Sequence, residues 1–304
     1  MKLIKPSAQI IEPTGYTIDD IYKSIELAGR VSHKSEDKIT ETSAKDFVGR
    51  MLNMKHLATC EFGTIYLKIP VTHWGYLHYS GEDSEYDFDY FPTHRCINPY
   101  SRMVIVDNMA YITTNYRVLV ENNWLDDLKY LCEPTEYHHK RYTVKYICDR
   151  GIANEIVRHR KFSFLQESTR YCLYSSNKFN NELTFIQPIW TYHQEDGDYG
   201  TLDNPKRKNV GNKDGVFFDF IKSLQYAEHY YLILVKQGWK AEQARNVLPL
   251  SLKTELYMCG FAEDWKQFFK LRSKKYGVGN PHPQADELAT PLYEEFIKRG
   301  YINE

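Results

Sequence analysis

From Val216 to the C-terminus, apolar residues recur at three- and four-residue spacing, and this constrains the fold more than any other feature of the sequence. The spacing predicts a long amphipathic helix over Val216–Val235 that Gly238 ends. Further helices are expected at Ala241–Val247, Leu252–Cys259, Ala262–Leu271 and Gln284–Lys298. Strand-like runs lie upstream: Thr64–Ile69 closing at Pro70, a hairpin Met103–Thr113 turning at Asp107 and Asn108, Tyr142–Cys148, and Leu183–Ile186. Helices are interspersed with them. Thr17 and Asp20 form a capping box before a helix reaching Gly29, a second helix runs from Thr42 or Ser43 to His56, and helical stretches extend through Leu131. Asp149 caps Ile152–His159. Strands mixed with segregated helices, without βαβ alternation or an internal repeat, predict an α+β fold with a helical C-terminal third. One domain over 1–304 is expected, with an inserted segment at about 71–141 whose Val71–Pro99 portion has no period. Asp196–Gly215 reads as a surface loop with a solvated KRK run.

The composition supports a sizeable core: 42% of the 304 residues are hydrophobic, including 25 Tyr, 15 Phe and 5 Trp. With 39 Lys plus Arg against 40 Asp plus Glu, there is no protein-wide field to attract nucleic acid or anionic lipid. The N-terminus lacks an apolar signal region, and no apolar run approaches the roughly 20 residues of a membrane span. A soluble, unexported protein is therefore expected. Cys60, Cys96, Cys132, Cys148, Cys172 and Cys259 contain no CxxC pair and suit reduced thiols in a cytoplasm.

Generic signatures are absent. There is no GxxxxGK[ST] loop, GVGNPH lacks both the third glycine and a preceding strand, and HExxH and GxSxG are missing. His138 and His139 are adjacent and point in different directions on any regular element. No metal site is expected.

Chemistry concentrates in RHRKFSFLQESTRYC, which begins helical and then loses its period, so the segment is expected to end in a loop. Arg158, Arg160 and Arg170 repel one another unless acidic groups or bound anions compensate, and guanidinium forks match phosphate oxygens. Phe162, Phe164 and Tyr171 can be buried or stack on a planar heterocycle, and Gln166 both donates and accepts. On composition alone, a surface basic cluster with an ion pair to Glu167 fits equally well.

RHR, seven residues and then Ser168 resembles the signature of flavin-dependent thymidylate synthases. So do GRVS (Gly29 to Ser32), His56 with Glu61, QARNVLPL (Gln243 to Leu250) and FFKLR ending at Arg272, all in matching order. The resemblance spans roughly Ile25 to Ala289. It implies conversion of dUMP to dTMP with 5,10-methylenetetrahydrofolate as carbon donor and NADPH-reduced FAD as hydride source. It also implies a homotetramer with active sites shared between subunits. By resemblance, Ser32, His56, Arg158, His159, Arg160, Gln166 and Gln267 contact FAD. Arg158, Gln166, Glu167, Ser168, Thr169, Arg170, Arg245 and Arg272 line dUMP, with Arg245 on its phosphate. Arg272 and Ser168 are the catalytic candidates. Arg272 favours the ionised ring, and Ser168 is expected to position because no base is assigned to it by spacing.

The sequence departs from the family pattern at Leu165 and Gln166, at Glu155 where Gln is frequent, and at Phe261 and Glu263, where an Asn and an Arg often contact FAD. Two other readings stand beside this one. One is a related flavin and folate enzyme that hydroxymethylates a pyrimidine nucleotide; the other is a nucleic-acid-binding module using the arginines with tyrosine stacking platforms.

Overall fold

The computed structural model describes residues 1–71, 98–191, 195–206 and 215–303. It is organised around a four-stranded antiparallel sheet in the order β2 (Ser7–Ile11), β6 (Arg141–Asp149), β10 (Lys253–Phe261), β7 (Ser163–Gln166). β10 pairs with β6 from Lys253↔Asp149 to Phe261↔Arg141, and with β7 from Leu256↔Gln166 to Cys259↔Ser163. The helix expected at Leu252–Cys259 is therefore a strand at the centre of the sheet. Leu252, Leu256 and Cys259 imitate a helical stripe, but the backbone groups of this segment are satisfied by a partner on each side, and almost every residue is buried. A short apolar run carries both periods, and tertiary pairing decides between them.

The two faces of this sheet are covered differently. Leu256, Met258, Val144 and Tyr146 pack beneath α4 (Arg150–Ile156), α7 (Ala262–Arg272) and α8 (Pro283–Lys298), around Trp265, Phe268, Phe269 and Phe296. On the opposite face Tyr257 and Cys259 meet Ala28 in α1 (Ile18–Gly29), Val31 just after it, and Phe62. Its predicted capping box is present: Thr17 accepts from the Asp20 amide while Asp20 accepts from the Thr17 amide.

A second sheet orders β3 (Thr64–Pro70), β5 (Met109–Asn115) and β4 (Arg102–Val106) against α1, α2 (Ser43–Asn53) and α3 (Tyr116–Glu121). The expected hairpin is present. Asp107 (φ 48°) and Asn108 (φ 59°) both occupy the left-handed region that its two-residue turn requires. The strands flanking the expected insertion, β3 and β6, do not pair with each other; β5, from inside it, takes β3 as partner. Most of the aperiodic Val71–Pro99 stretch, residues 72–97, lies outside the described residues.

The third sheet orders β8 (Thr184–Ile186), β1 (Lys2–Ile4) and β9 (Gly197–Asp198). β1 and β8 are parallel, and Phe217, Leu224 and Tyr231 of α5 (Gly215–Lys236) cover this region. Gly238 follows α5 at φ 96°, and α6 (Ala241–Ala244) leads towards β10. β1 and β2 had no clear signal in the sequence, being short and split by Lys5 and Pro6. Among the described residues no helix is long and apolar enough to cross a membrane and no acidic, His or Cys cluster could hold a metal. Cys60, Cys132, Cys148, Cys172 and Cys259 are free thiols.

Candidate functional site

Asp149 opens α4 by accepting the Ile152 amide at 2.8 Å. Helical bonding fades into the Arg158–Arg160 turn, where the His159 amide reaches Ile156 O at 3.1 Å and the Phe162 amide reaches His159 O at 3.1 Å. Phe162 is buried with its ring 4.9 Å from that of Trp265 and anchors the turn to the core. The loop expected after it is an edge strand. Phe164 and Gln166 alternate with Leu165 and Glu167 and pair with β10, a two-residue period too short to recognise in four residues.

This alternation divides the candidate residues. Gln166 lies on the face of α4 and α7, where its Nε2 donates to Thr254 Oγ1 at 3.2 Å, a hydroxyl that Arg150 Nη1 also approaches at 3.4 Å. On the same side Arg272, the last residue of α7, is held three ways. Nη1 is 2.6 Å from Glu155 Oε2, Nη2 donates to Glu155 O at 3.1 Å, and Nε donates to His159 Nε2 at 3.0 Å. A guanidinium only donates, so His159 Nε2 must accept and the ring is neutral. Burial first, and the Arg272 charge second, push the His159 pKa down to about 4, in agreement. Arg158 and Arg160 are exposed and form no ion pair among the described residues, and Gln267 is exposed on α7.

Glu167 lies on the opposite face. Its carboxylate is buried, 2.9 Å from Lys253 Nζ, and accepts from Tyr174 Oη at 2.9 Å. The ion pair expected for Glu167 is thus made with Lys253 and not with the arginine cluster. Beside it Glu255 is met by Lys34, Lys145 and Lys253, each at 2.7 Å. Burial alone would raise the Glu255 pKa; the Lys253 charge and the other ammonium groups outweigh it and hold the carboxyl well below its usual range. The Ser168 amide donates to Ser32 O at 3.1 Å, and Ser168 Oγ accepts from the Arg170 amide at 3.2 Å. Arg170 pairs with Glu242 at 3.3 Å, and Arg245 Nη1 reaches Thr169 Oγ1 at 3.5 Å. His33 stacks on Tyr171 at 4.3 Å, and its pKa is lowered by burial and then by exposed His56.

One chain therefore presents two groups. Arg158, His159, Arg160, Gln166, Gln267 and Arg272 form the first. Ser32, His56, Glu167, Ser168, Thr169, Arg170 and Arg245 form the second, past the C-terminal end of β7, where Gln166 adjoins it on the other face of the sheet. The lysine cluster around Glu255 was not foreseen, although Lys253 and Glu255 sit two apart and would have shared a face had the segment been read as a strand.

A cavity of about 500 Å³ opens beside Arg158 and Glu155. A somewhat larger one, about 550 Å³, lies between the loop at Pro13 and α1 and contains none of the candidate residues. Of the candidate residues, Arg158 alone lines the first.

Residues 108–299 match the family described as thymidylate synthase complementing protein. Over 162 residues the chain is 28% identical to a probable flavin-dependent thymidylate synthase of Paramecium bursaria Chlorella virus 1, covering 51% of this chain and 66% of that one. It is 26% identical to the flavin-dependent thymidylate synthase of Synechocystis sp. (43% and 55% covered) and 24% identical to that of Pyrococcus abyssi (50% and 52%). The matched region thus spans between about half and just under two thirds of these relatives' own lengths. Among solved structures, a UMP/dUMP methylase PolB from Streptomyces cacaoi bound with 5-Br dUMP aligns with 98% of this chain and 93% of its own, at 16% identity and a TM-score of 0.45. With the family match covering well over half of its residues, the chain belongs to the thymidylate synthase complementing protein family.

Proposed function

We propose that this protein is a flavin-dependent thymidylate synthase that converts dUMP to dTMP, with 5,10-methylenetetrahydrofolate as carbon donor and NADPH as reductant of FAD. One observation carries the reading: in the arginine-rich turn, Arg158 and Arg160 stand exposed with no carboxylate partner among the described residues, beside an Arg272 that is fixed in place. Two uncompensated guanidiniums on one turn fit the phosphates of a dinucleotide, so the donor set suits FAD. When bound, FAD supplies the hydride.

The roles are those that the resemblance implies. Arg158, His159 and Arg160, with Ser32, His56, Gln166 and Gln267, hold FAD. Arg158, Gln166, Glu167, Ser168, Thr169, Arg170, Arg245 and Arg272 surround dUMP, and Arg245 beside Thr169 meets its phosphate. Arg272 stabilises negative charge on the uracil carbonyl as C5 becomes nucleophilic, and its anchorage to Glu155 and His159 means little reorganisation at that moment. Ser168 positions the nucleotide: among the described residues its Oγ meets the Arg170 amide, and no histidine or lysine lies within hydrogen-bond reach to activate it. Because one chain carries the FAD residues in two groups, with Ser32 and His56 apart from the Arg158–Arg160 turn, a homotetramer with shared sites is the assembly we favour. Free, mostly buried thiols favour the cytoplasm.

The test is to purify the protein, record its visible spectrum, and assay dTMP formation from dUMP, methylenetetrahydrofolate and NADPH. A yellow protein with turnover supports the reading, whereas a colourless protein that fails to bind added FAD rejects it.

A further inference from the structure

Trp190 is 62% exposed at the edge of the 500 Å³ cavity that Arg158 also lines. A large aromatic group left this far in water loses most of the benefit of burial, and its position at a concave rim calls for an occupant. Its contact with His282 is edge-to-face, at 5.9 Å and 87°. Ile152 and Leu250 add apolar wall. Three polar side chains on the same cavity, Arg158, Asn154 and Ser251, have no side-chain hydrogen bond or ion pair among the described residues. The combination is an aromatic platform, a free cation, and neutral donors and acceptors; the two carboxylates on the lining are already engaged, Asp149 by the Ile152 amide and Gln284, and Glu155 by Arg272.

We propose that this cavity binds a planar nitrogen heterocycle with an anionic tail, the ring stacked on Trp190, its edge on Asn154 and Ser251, and the tail on Arg158. A hydrocarbon occupant would leave these polar groups unpaired in a desolvated site, and a simple anion would make no use of Trp190. None of Glu167, Ser168, Thr169, Arg170 and Arg245 lines the cavity, so it is a subsite that adjoins the FAD and dUMP residues through Arg158, a guanidinium the sites share. The identity of the ligand rests on the synthase reading: that reaction needs two further molecules of this chemistry, the folate with its carboxylate tail and NADPH with its phosphates.

The experiment titrates FAD-loaded protein separately with 5-formyltetrahydrofolate, a stable folate, and with NADPH, using calorimetry, for the parent, Trp190→Ala, Trp190→Phe and Ser251→Val. We expect Trp190→Ala to weaken one of the two ligands about tenfold or more. Trp190→Phe should recover most of that loss, and Ser251→Val should cost about threefold or more through a lost hydrogen bond. The affected ligand identifies the source of the ring. FAD and dUMP affinities should stay within about twofold, the spread expected of a site not touched. The proposal is overturned if both ligands bind all variants like the parent, or if the parent binds neither. It is overturned equally if Trp190→Ala alters only the oligomeric state in size-exclusion chromatography. Failure of the parent to bind dUMP or FAD would instead count against the synthase reading, leaving the two titrations, run without FAD, to judge the subsite.

Discussion

The Arg272 guanidinium lies 2.6 Å from the Glu155 carboxylate while its Nε donates to His159 at 3.0 Å, so the last residue of α7 is tied to the last turn of α4 and to the motif that follows it. All three guanidinium nitrogens are engaged, with Nη2 on Glu155 O. The arrangement fixes the direction of the positive charge before any substrate arrives.

Replacing Arg272 with Ala is expected to lower kcat for dTMP formation by about 100-fold or more, the cost of losing one preorganised donor to developing negative charge. FAD content, read from visible absorbance, should remain. Arg272→Lys should restore little, since one ammonium cannot satisfy Glu155, His159 and a substrate oxygen in a planar fork. Parent-like turnover in Arg272→Ala would remove the residue from the mechanism.

His159 carries a second prediction. Its pKa is pushed down to about 4 by burial and then by Arg272, against about 6.5 for a free imidazole. The folded protein therefore binds this proton later than the unfolded chain as pH falls. The neutral ring favours folding above about 6.5, and that contribution drains away as pH drops from there towards 4. NMR titration of the imidazole should show no protonation between pH 6 and 8, and Arg272→Ala should move the midpoint upward. An unchanged midpoint in the variant would show that the Arg272 charge does not act on the ring.

Much of this arrangement could be read from the residues, and the failures have physical causes. Capping at Thr17 and Asp149, the Asp107–Asn108 turn and the stop at Gly238 are local events, and local chemistry predicted them. β10 and β7 depend on partners far away in the chain, and each alone carries too few residues to separate a two-residue from a helical period. Misreading β10 as a helix hid the Lys253 and Glu255 pair, because residues two apart on a helix do not share a face. The arginines were legible as a group. Their separation was not, since it follows from the extended strand β7 that runs between Arg160 and Arg170.

Glu255 meets three lysines and is itself buried, so removing its charge leaves Lys145 without a carboxylate among the described residues and leaves Lys34 and Lys253 with Glu36 and Glu167 alone. Glu255→Gln is expected to destabilise the protein by about 3 kcal/mol, in the range for breaking a buried pair. That corresponds to a Tm lower by roughly 6–12 °C. The pH dependence follows from the lowered carboxyl pKa. The stabilisation is complete above the unfolded value of about 4.3 and is lost as pH falls through the lower folded value. Thermal scans of parent and variant should therefore differ by a constant amount between about pH 6 and 8 and converge only in stronger acid. Convergence already near pH 6 would contradict the assignment.

Gly260 is where β10 passes closest beneath the Phe162 ring. A Cβ placed on it would sit 2.4 Å from Phe162 Cδ1, too close for any real contact, and the Phe162 ring is wedged against Trp265 and Phe268. Gly260→Ala must therefore displace Phe162, and with it the turn that carries Arg158, His159 and Arg160. Overpacking of this kind costs about 1–3 kcal/mol. Because the strain falls on the anchor of the turn and not on α5 or the β3–β5–β4 sheet, FAD affinity should drop about tenfold or more even at temperatures where the variant is fully folded. A variant that loses stability yet binds FAD like the parent would show that the Arg158–Arg160 turn keeps its geometry without Phe162.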